Sequence, residues 1–367
     1  MRKNRESREP LFHIVKRDVL PSWKAWGIRL IGLLIALVLC AFIIFALTKL
    51  NPLRVYGTMI KGAFGTNKRM WMTIREMMAL LCVGIGLAPA FKMRFWNIGA
   101  EGQILVGGIA TAACMLYLGK LIPTVPLLVL MLICSMVAGG LWGLLPAIFK
   151  SRWNTNETLF TLMMNYIALQ LTSFFVAKWE NPFGSNTVGI INQMTRDGWF
   201  PSIFGEMYML NVLIVLTLAV LMYLYLSKSK QGYEIAVVGE SENTARYAAI
   251  NVRRVIVRTM VISGAVCGIA GFMTVAGADH TISTDTAGGR GFIAIIVAWL
   301  AKFNTFVMVL IAALLVFLEQ GAREIASVYD LNDFVSQMIM GIILFFILGS
   351  EFFINYKLRT RKGRKEA

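Results

Sequence analysis

Residues 228–258, KSKQGYEIAVVGESENTARYAAINVRRVIVR, interrupt two long apolar runs and decide how the rest of the chain is read. The stretch places six Lys and Arg residues around a short run of helix formers, 241–250. Cations so placed would hold a segment at the headgroups on the inner face of a membrane. Most other turns in the chain are short, so a loop of this length reads as a docking element for a soluble partner rather than as a linker. Glu240, Glu242, Asn243, Ala245, Arg246 and Tyr247 are the residues expected to carry that contact. Asn243 is the predicted cap of the short helix, with acids near its positive end. Tyr247 supplies an amphipathic anchor and Arg246 a forked donor, both favoured where proteins meet.

The surrounding composition points the same way. The 367 residues are 57% hydrophobic and 15% charged, against about 25% charged in soluble domains, so a bilayer is the natural solvent. The net charge of +16 gathers at the ends of apolar runs and not along one face, which argues against nucleic acid as a partner. All five cysteines lie in apolar runs without metal-type spacing and read as small hydrophobes. His13 and His280, the two histidines, have no nearby ligating partners, so no metal site is expected. The chain contains no G-x-x-x-x-G-K-[ST], H-E-x-x-H or G-x-S-x-G. It therefore reads as no enzyme, with no cofactor of its own; any ATP and magnesium would be used by another chain.

Crossing the hydrocarbon takes about 20 apolar residues. Candidate spans are 28–48, 77–91, 102–118, 124–149, 158–177, 207–226, 255–277, 290–303, 304–322 and 334–354. The predicted fold is all-α, a polytopic membrane protein of about ten transmembrane helices. Segments 77–91 and 290–303, short and glycine-containing, are the candidates for broken or re-entrant helices. The first run is too long for a cleaved signal and is expected to stay as a span. Alternation from an inner N-terminus puts 25 of the 36 Lys and Arg on inner segments, so both termini are expected in the cytoplasm. The cationic stretch 49–76 then falls outside and reads as an interfacial amphipathic helix. The resulting layout has a basic N-terminal segment 1–27, a transmembrane domain 28–354 and a basic tail 355–367. Within it lie an inner loop 228–254 and a long outer loop 178–206. That outer loop either caps a pore or meets a substrate-delivery protein, or else lies on the membrane surface with Trp179, Trp199 and Phe200 as belt residues.

Three polar clusters inside this apolar frame are candidates for a solute path. In RFWNIGAEGQ, 94–103, Asn97, Glu101 and Gln103 can bond freed backbone groups or a polar solute, and Arg94 is the nearest ionic partner for Glu101. In TNETLFTLMMNYIA, 155–168, Asn165 and Tyr166 sit within a span, and Thr158, Thr161 and Asn165 form one polar stripe. Such a stripe more often bonds a neighbouring helix than lines a path. Gly289, in the glycine-rich entry at 288–291, offers backbone N–H groups to an anionic or hydroxyl-rich solute, or forms a tight turn. The pairs Gly139/Gly143 and Gly264/Gly268 are read as packing devices.

Taken together, 94–103, 155–168, GESENTARYAAINV at 239–252 and GGRGFIAIIVAWLAKFN at 288–304 resemble the permease subunits of bacterial ABC importers for nucleosides and simple sugars. The likeness covers roughly 75–335. It is similar in particular to the larger of two paralogous permeases in nucleoside importers. The resemblance implies a permease working with a second homologous permease, an ABC ATPase and a substrate-binding lipoprotein outside, in the cytoplasmic membrane. The residues from Glu240 to Tyr247 would then form the helix that couples to the ATPase, and nucleosides would be imported by alternating access. A ribose- or galactose-type sugar permease, or a stand-alone secondary transporter, is the alternative. Thr244 and Ala249 stand where the family often has Pro and Gly, and Thr305 where Pro is usual.

Overall fold

A computed structural model describes residues 12–17, 21–49, 51–330 and 333–360. Most of the expected N-terminal segment 1–27 and the end of the tail 355–367 lie outside the described residues. Thirteen α-helices make up most of the described chain. Nine are long and apolar enough to cross a membrane: α1 (Ser22–Thr48), α3 (Asn67–Lys92), α4 (Ala100–Leu118), α5 (Thr124–Trp153), α6 (Glu157–Lys178), α7 (Met209–Lys228), α10 (Val252–Thr274), α12 (Thr305–Val328) and α13 (Asp333–Asn355). The shorter ones are α2 (Pro52–Phe64), α8 (Lys230–Glu240), α9 (Glu242–Tyr247) and α11 (Arg290–Leu300).

Two compact units divide the chain. Unit 1 joins residues up to Gly65 with those from Leu318 onward. There α1 packs along α13, and Arg29 bonds Glu351 at 2.5 Å. Leu34, Val38 and Phe42 of α1 remain exposed, as a lipid-facing stripe must be. An all-α reading misses one feature. Strand β1 (Phe12–Lys16) pairs antiparallel with β2 (Tyr356–Thr360), Phe12 opposite Thr360. Bonded ends lie on one side of a bilayer, so the chain between them crosses an even number of times.

Unit 2, Thr66–Phe317, holds the buried body. Its centre is the crossing of α5 and α10. A Cβ added to Gly139 would stand 2.3 Å from the Gly264 carbonyl, and one on Gly268 would stand 2.2 Å from that of Ser135. The glycine pairs are the packing device that their spacing predicts: with no side chain between them, the two backbones touch. Helix α3 is buried all round between Met78 and Phe91, the pattern of a central helix.

The predicted boundaries change in three places. Segment 77–91 is no broken helix; it is the latter part of a continuous α3 that begins at Asn67. The stretch 49–76 is accordingly not one surface helix. It holds α2, whose Met59 meets Gly321 and whose Gly62 meets Glu324, and then the first turns of α3. The inner loop is also more helical than predicted, carrying both α8 and α9. The breaks fall instead at 93–99 and 280–289, before α4 and α11. Both pack against neighbouring helices through their buried residues, among them Asn97 and Thr286.

Candidate functional site

The first candidate site is the polar knob between α7 and α10. Three side chains cap successive helices and so set its sharp turns. The Ser229 hydroxyl accepts from the Gly232 N–H (3.0 Å) at the start of α8. Ser241 accepts from Thr244 (3.3 Å) at α9, and Asn251 from Arg254 (3.1 Å) at α10. The cap of α9 is thus Ser241 and not Asn243, which lies one residue inside the helix and is exposed. Helix α8 lies close against the body: a Cβ on Gly239 would meet the Lys92 carbonyl at 2.2 Å, and Glu234 pairs with Arg258 at 3.0 Å.

From that base α9 projects outward. Ala245 is its one buried residue, and its carbonyl accepts from the Ile250 N–H at 2.9 Å. Ala249 then turns at φ 57°, a left-handed conformation that glycine adopts without penalty. Glu240, Glu242, Asn243 and Arg246 are exposed, and Tyr247 is 94% exposed. Glu242 and Arg246 approach only to 3.6 Å, with both side chains in solvent. The Tyr247 phenol is thus held out at the tip of a six-residue helix.

The second candidate site is the polar web around 93–103, which brings together most of the predicted path residues. Asn97 is fully buried; its amide nitrogen reaches Ser263 (3.2 Å) and Gln103 (3.3 Å), and its oxygen accepts from the Gly99 N–H (3.1 Å). Asn165 on α6 accepts from the Gly102 N–H and donates to the Ile98 carbonyl, both at 2.8 Å. Thr161, one turn before it, accepts from the Ile98 N–H at 3.2 Å. These amides and hydroxyls replace the backbone bonds that the broken helix gives up. The polar stripe on α6 therefore packs against a neighbour, its commoner use. Tyr166, the next residue, is 67% exposed and takes no part in the web.

Glu101 finds a different partner from the Arg94 that sequence proximity suggests. Arg94 is exposed. The Glu101 carboxylate accepts from the N–H groups of Gly289 and Gly291, each at 2.7 Å, at the start of α11. A Cβ on Gly291 would lie 2.5 Å from the Glu101 nitrogen, so only glycine lets the two backbones meet. Arg290, between those glycines, donates to Glu76 of α3 at 2.5 and 3.1 Å. Arg75 bonds the other oxygen of Glu76 at 2.6 Å and approaches Asp279 at 3.9 Å. Glu76, Arg75 and Arg290 are functional candidates missing from the sequence reading. The available signal was an acid embedded in an apolar run, where each charge demands a partner. From this anchor α11 runs alongside α3: Val297 touches Gly84, and Trp299 meets Phe91.

The loop 178–206 caps the end of α10. Trp199 stacks on His280 at 3.7 Å between centroids and donates to the Ile191 carbonyl, while Phe200 packs on Phe272. These two rings face protein, so they are not belt residues. Burial pushes the His280 pKa down to about 4, keeping the ring neutral at neutral pH. Among the described residues no three His, Cys, Asp or Glu side chains converge as metal ligands.

A multi-pass helical body, with broken helices held by buried amides and a polar knob projecting from it, is the architecture of a membrane permease. The chain belongs to the family described as branched-chain amino acid transport system / permease component, whose model matches residues 69–348. It is a transport component and not an enzyme, and a multi-pass protein of the cytoplasmic membrane. The guanosine ABC transporter permease protein NupP of Bacillus subtilis is 32% identical over 313 residues, covering 84% of this chain and 88% of that one. The nucleoside ABC transporter permease protein NupB of Lactococcus lactis subsp. cremoris is 27% identical, covering 92% and 94%. The glucose ABC transporter permease protein TsgB13 of Haloferax volcanii is 25% identical, covering 95% and 94%.

Proposed function

We propose that this chain is the permease subunit of an ABC importer that carries nucleosides inward by alternating access. Its partners would be an ABC ATPase, a second homologous permease and an extracytoplasmic substrate-binding lipoprotein. ATP and magnesium act on the ATPase, and this chain binds neither. The cation distribution supports cytoplasmic termini and a cytoplasmic knob. The outer loop 178–206 then faces the lipoprotein.

The observation that carries the reading is α9, anchored by buried Ala245 and presenting Arg246 and Tyr247 to solvent. Closure of the ATPase would push this helix as a lever. The web at 93–103 would pass the movement on as a stiff frame. Glu101 and Gly289 are the path candidates whose mutual bond would have to change if solute enters beside α11. Asn97, Gln103 and Asn165 would hold the frame.

The test is uptake of labelled uridine, adenosine and ribose by cells carrying the importer, with Tyr247→Ala as the variant. Nucleoside uptake lost in the variant, with the protein still in the membrane, is the expected result. Full uptake together with normal ATPase co-purification would sink it. The similarity to TsgB13 over nearly the whole chain makes a simple sugar the second reading, and preferential ribose uptake would favour that one.

A further inference from the structure

A cleft of about 530 Å³ opens at the foot of the knob, between the end of α5 and the start of α10. Lys150, Arg152, Arg246 and Arg253 line it, against the single carboxylate of Glu242. Lys150 is engaged with Glu157 at 2.8 Å, and Arg246 stands in solvent 3.6 Å from Glu242. Arg152 and Arg253 are exposed and have no carboxylate partner among the described residues. Two free guanidinium groups on one cleft suit an anion with several acceptor oxygens, and phosphate matches their forked geometry.

A second feature says which anion. Leu141, Leu145, Phe149 and Trp153 follow one another at four-residue spacing on α5, and all four are exposed. Such spacing forms a continuous apolar row along a helix. It runs from within the span to the residue next to Arg152. Trp153, 61% exposed, marks the headgroup level, where Trp side chains settle. The cleft therefore lies at the height of the lipid phosphates, with an acyl-chain track leading away from it. A protein docking on the tip of α9 would sit further from the bilayer.

We propose that this cleft binds the phosphate headgroup of an anionic phospholipid, held by Arg152 and Arg253 with its chains along the exposed row of α5. The inference goes beyond the transport reading and does not depend on which solute is carried. Basic recesses between membrane helices are suited to such headgroups. A lipid wedged at the foot of α9 would also brace the knob against the body.

The experiment uses the full chain in mild detergent, exchanged against phosphatidylglycerol or phosphatidylcholine and read by native mass spectrometry. We expect phosphatidylglycerol to be retained in about tenfold preference, from two cations at the headgroup. Arg152→Gln/Arg253→Gln should abolish that preference, while the charge-matched Lys120→Gln/Lys178→Gln should keep it. Glycerophosphate, which lacks acyl chains, should not displace the lipid. Three results would each overturn the proposal. Equal retention of both lipids is one. Full displacement by glycerophosphate or inorganic phosphate, which would mean a free-anion site, is another. The third is unchanged lipid preference in the arginine variant, which would mean that the lipid is held elsewhere. Because Tyr247 is untouched in every arm, failure here leaves the coupling reading standing, and the reverse also holds.

Discussion

The knob at 230–247 and the web at 93–103 are both polar islands in an apolar chain, yet they differ in where their polar atoms go. In the web nearly every amide ends on another protein atom: Asn165 uses both ends of its side chain at 2.8 Å. In the knob the capping serines are engaged, but Arg246 and Tyr247 face solvent. Polar residues whose bonds close on themselves keep a broken helix in place. Polar residues left open are available to something else. The contrast separates framework from contact without reference to any relative, and it can be tested by substitution.

The largest loss of stability is expected at the ionic anchor of α11. Glu76→Ala removes a buried carboxylate and leaves the partly buried Arg75 and Arg290 without their shared partner. Removing one partner of a buried pair costs about 3–5 kcal/mol. The variant should fail to accumulate in the membrane, and normal amounts with an unchanged melting temperature would refute the anchor. Next comes Asn165→Ala, which strands the Gly102 N–H and the Ile98 carbonyl at a cost of about 1–3 kcal/mol. Its neighbour is the control: Tyr166→Ala should leave thermal stability nearly unchanged, because Tyr166 lies outside the web. Equal losses at the two positions would erase the distinction between web and surface.

A smaller effect should come from acid. His280 is held neutral by burial, with its pKa lowered from the usual 6.5 to about 4. Between those values the unfolded chain binds more protons than the folded one, so stability falls as pH drops through that window. Fluorescence of Trp199, stacked on the ring, should report a loosening of the outer cap in the same range. His280→Phe should flatten the profile.

How much of this was legible beforehand depended on whether the cause was local. The glycine pairs of α5 and α10 and the stripe from Thr161 to Asn165 follow helical spacing, so periodicity reveals them. The start of α3 was hidden because Arg75 and Glu76 lower the hydropathy of a segment whose carboxylate is paired with Arg290, more than 200 residues away. The pairing of β1 with β2 was hidden for the same reason: two five-residue strands at opposite ends of the chain carry no local register signal. Ser241 and Asn243 are both good caps by type, and only the backbone shows which one precedes the helix. The bonds of Glu101 to Gly289 and Gly291 join two motifs that each read as open polar groups when taken alone.

The sharpest form of the comparison is a change that should do almost nothing to the fold. Exchanging charges in α9, as Glu242→Arg with Arg246→Glu, keeps composition and net charge and reverses a pair that is exposed on both sides. Such surface pairs are worth about 0.3–0.5 kcal/mol, so the melting temperature should barely move. If α9 is a contact surface, the same exchange places charges of the wrong sign before its partner. Uptake and ATPase retention should then fall together while the protein stays folded in the membrane. A framework element behaves in the opposite way, since its function fails only when its stability does. An exchanged helix that transports normally would show that the solvent-facing side of α9 meets nothing, and the division between the two islands would then fail on the side of the knob.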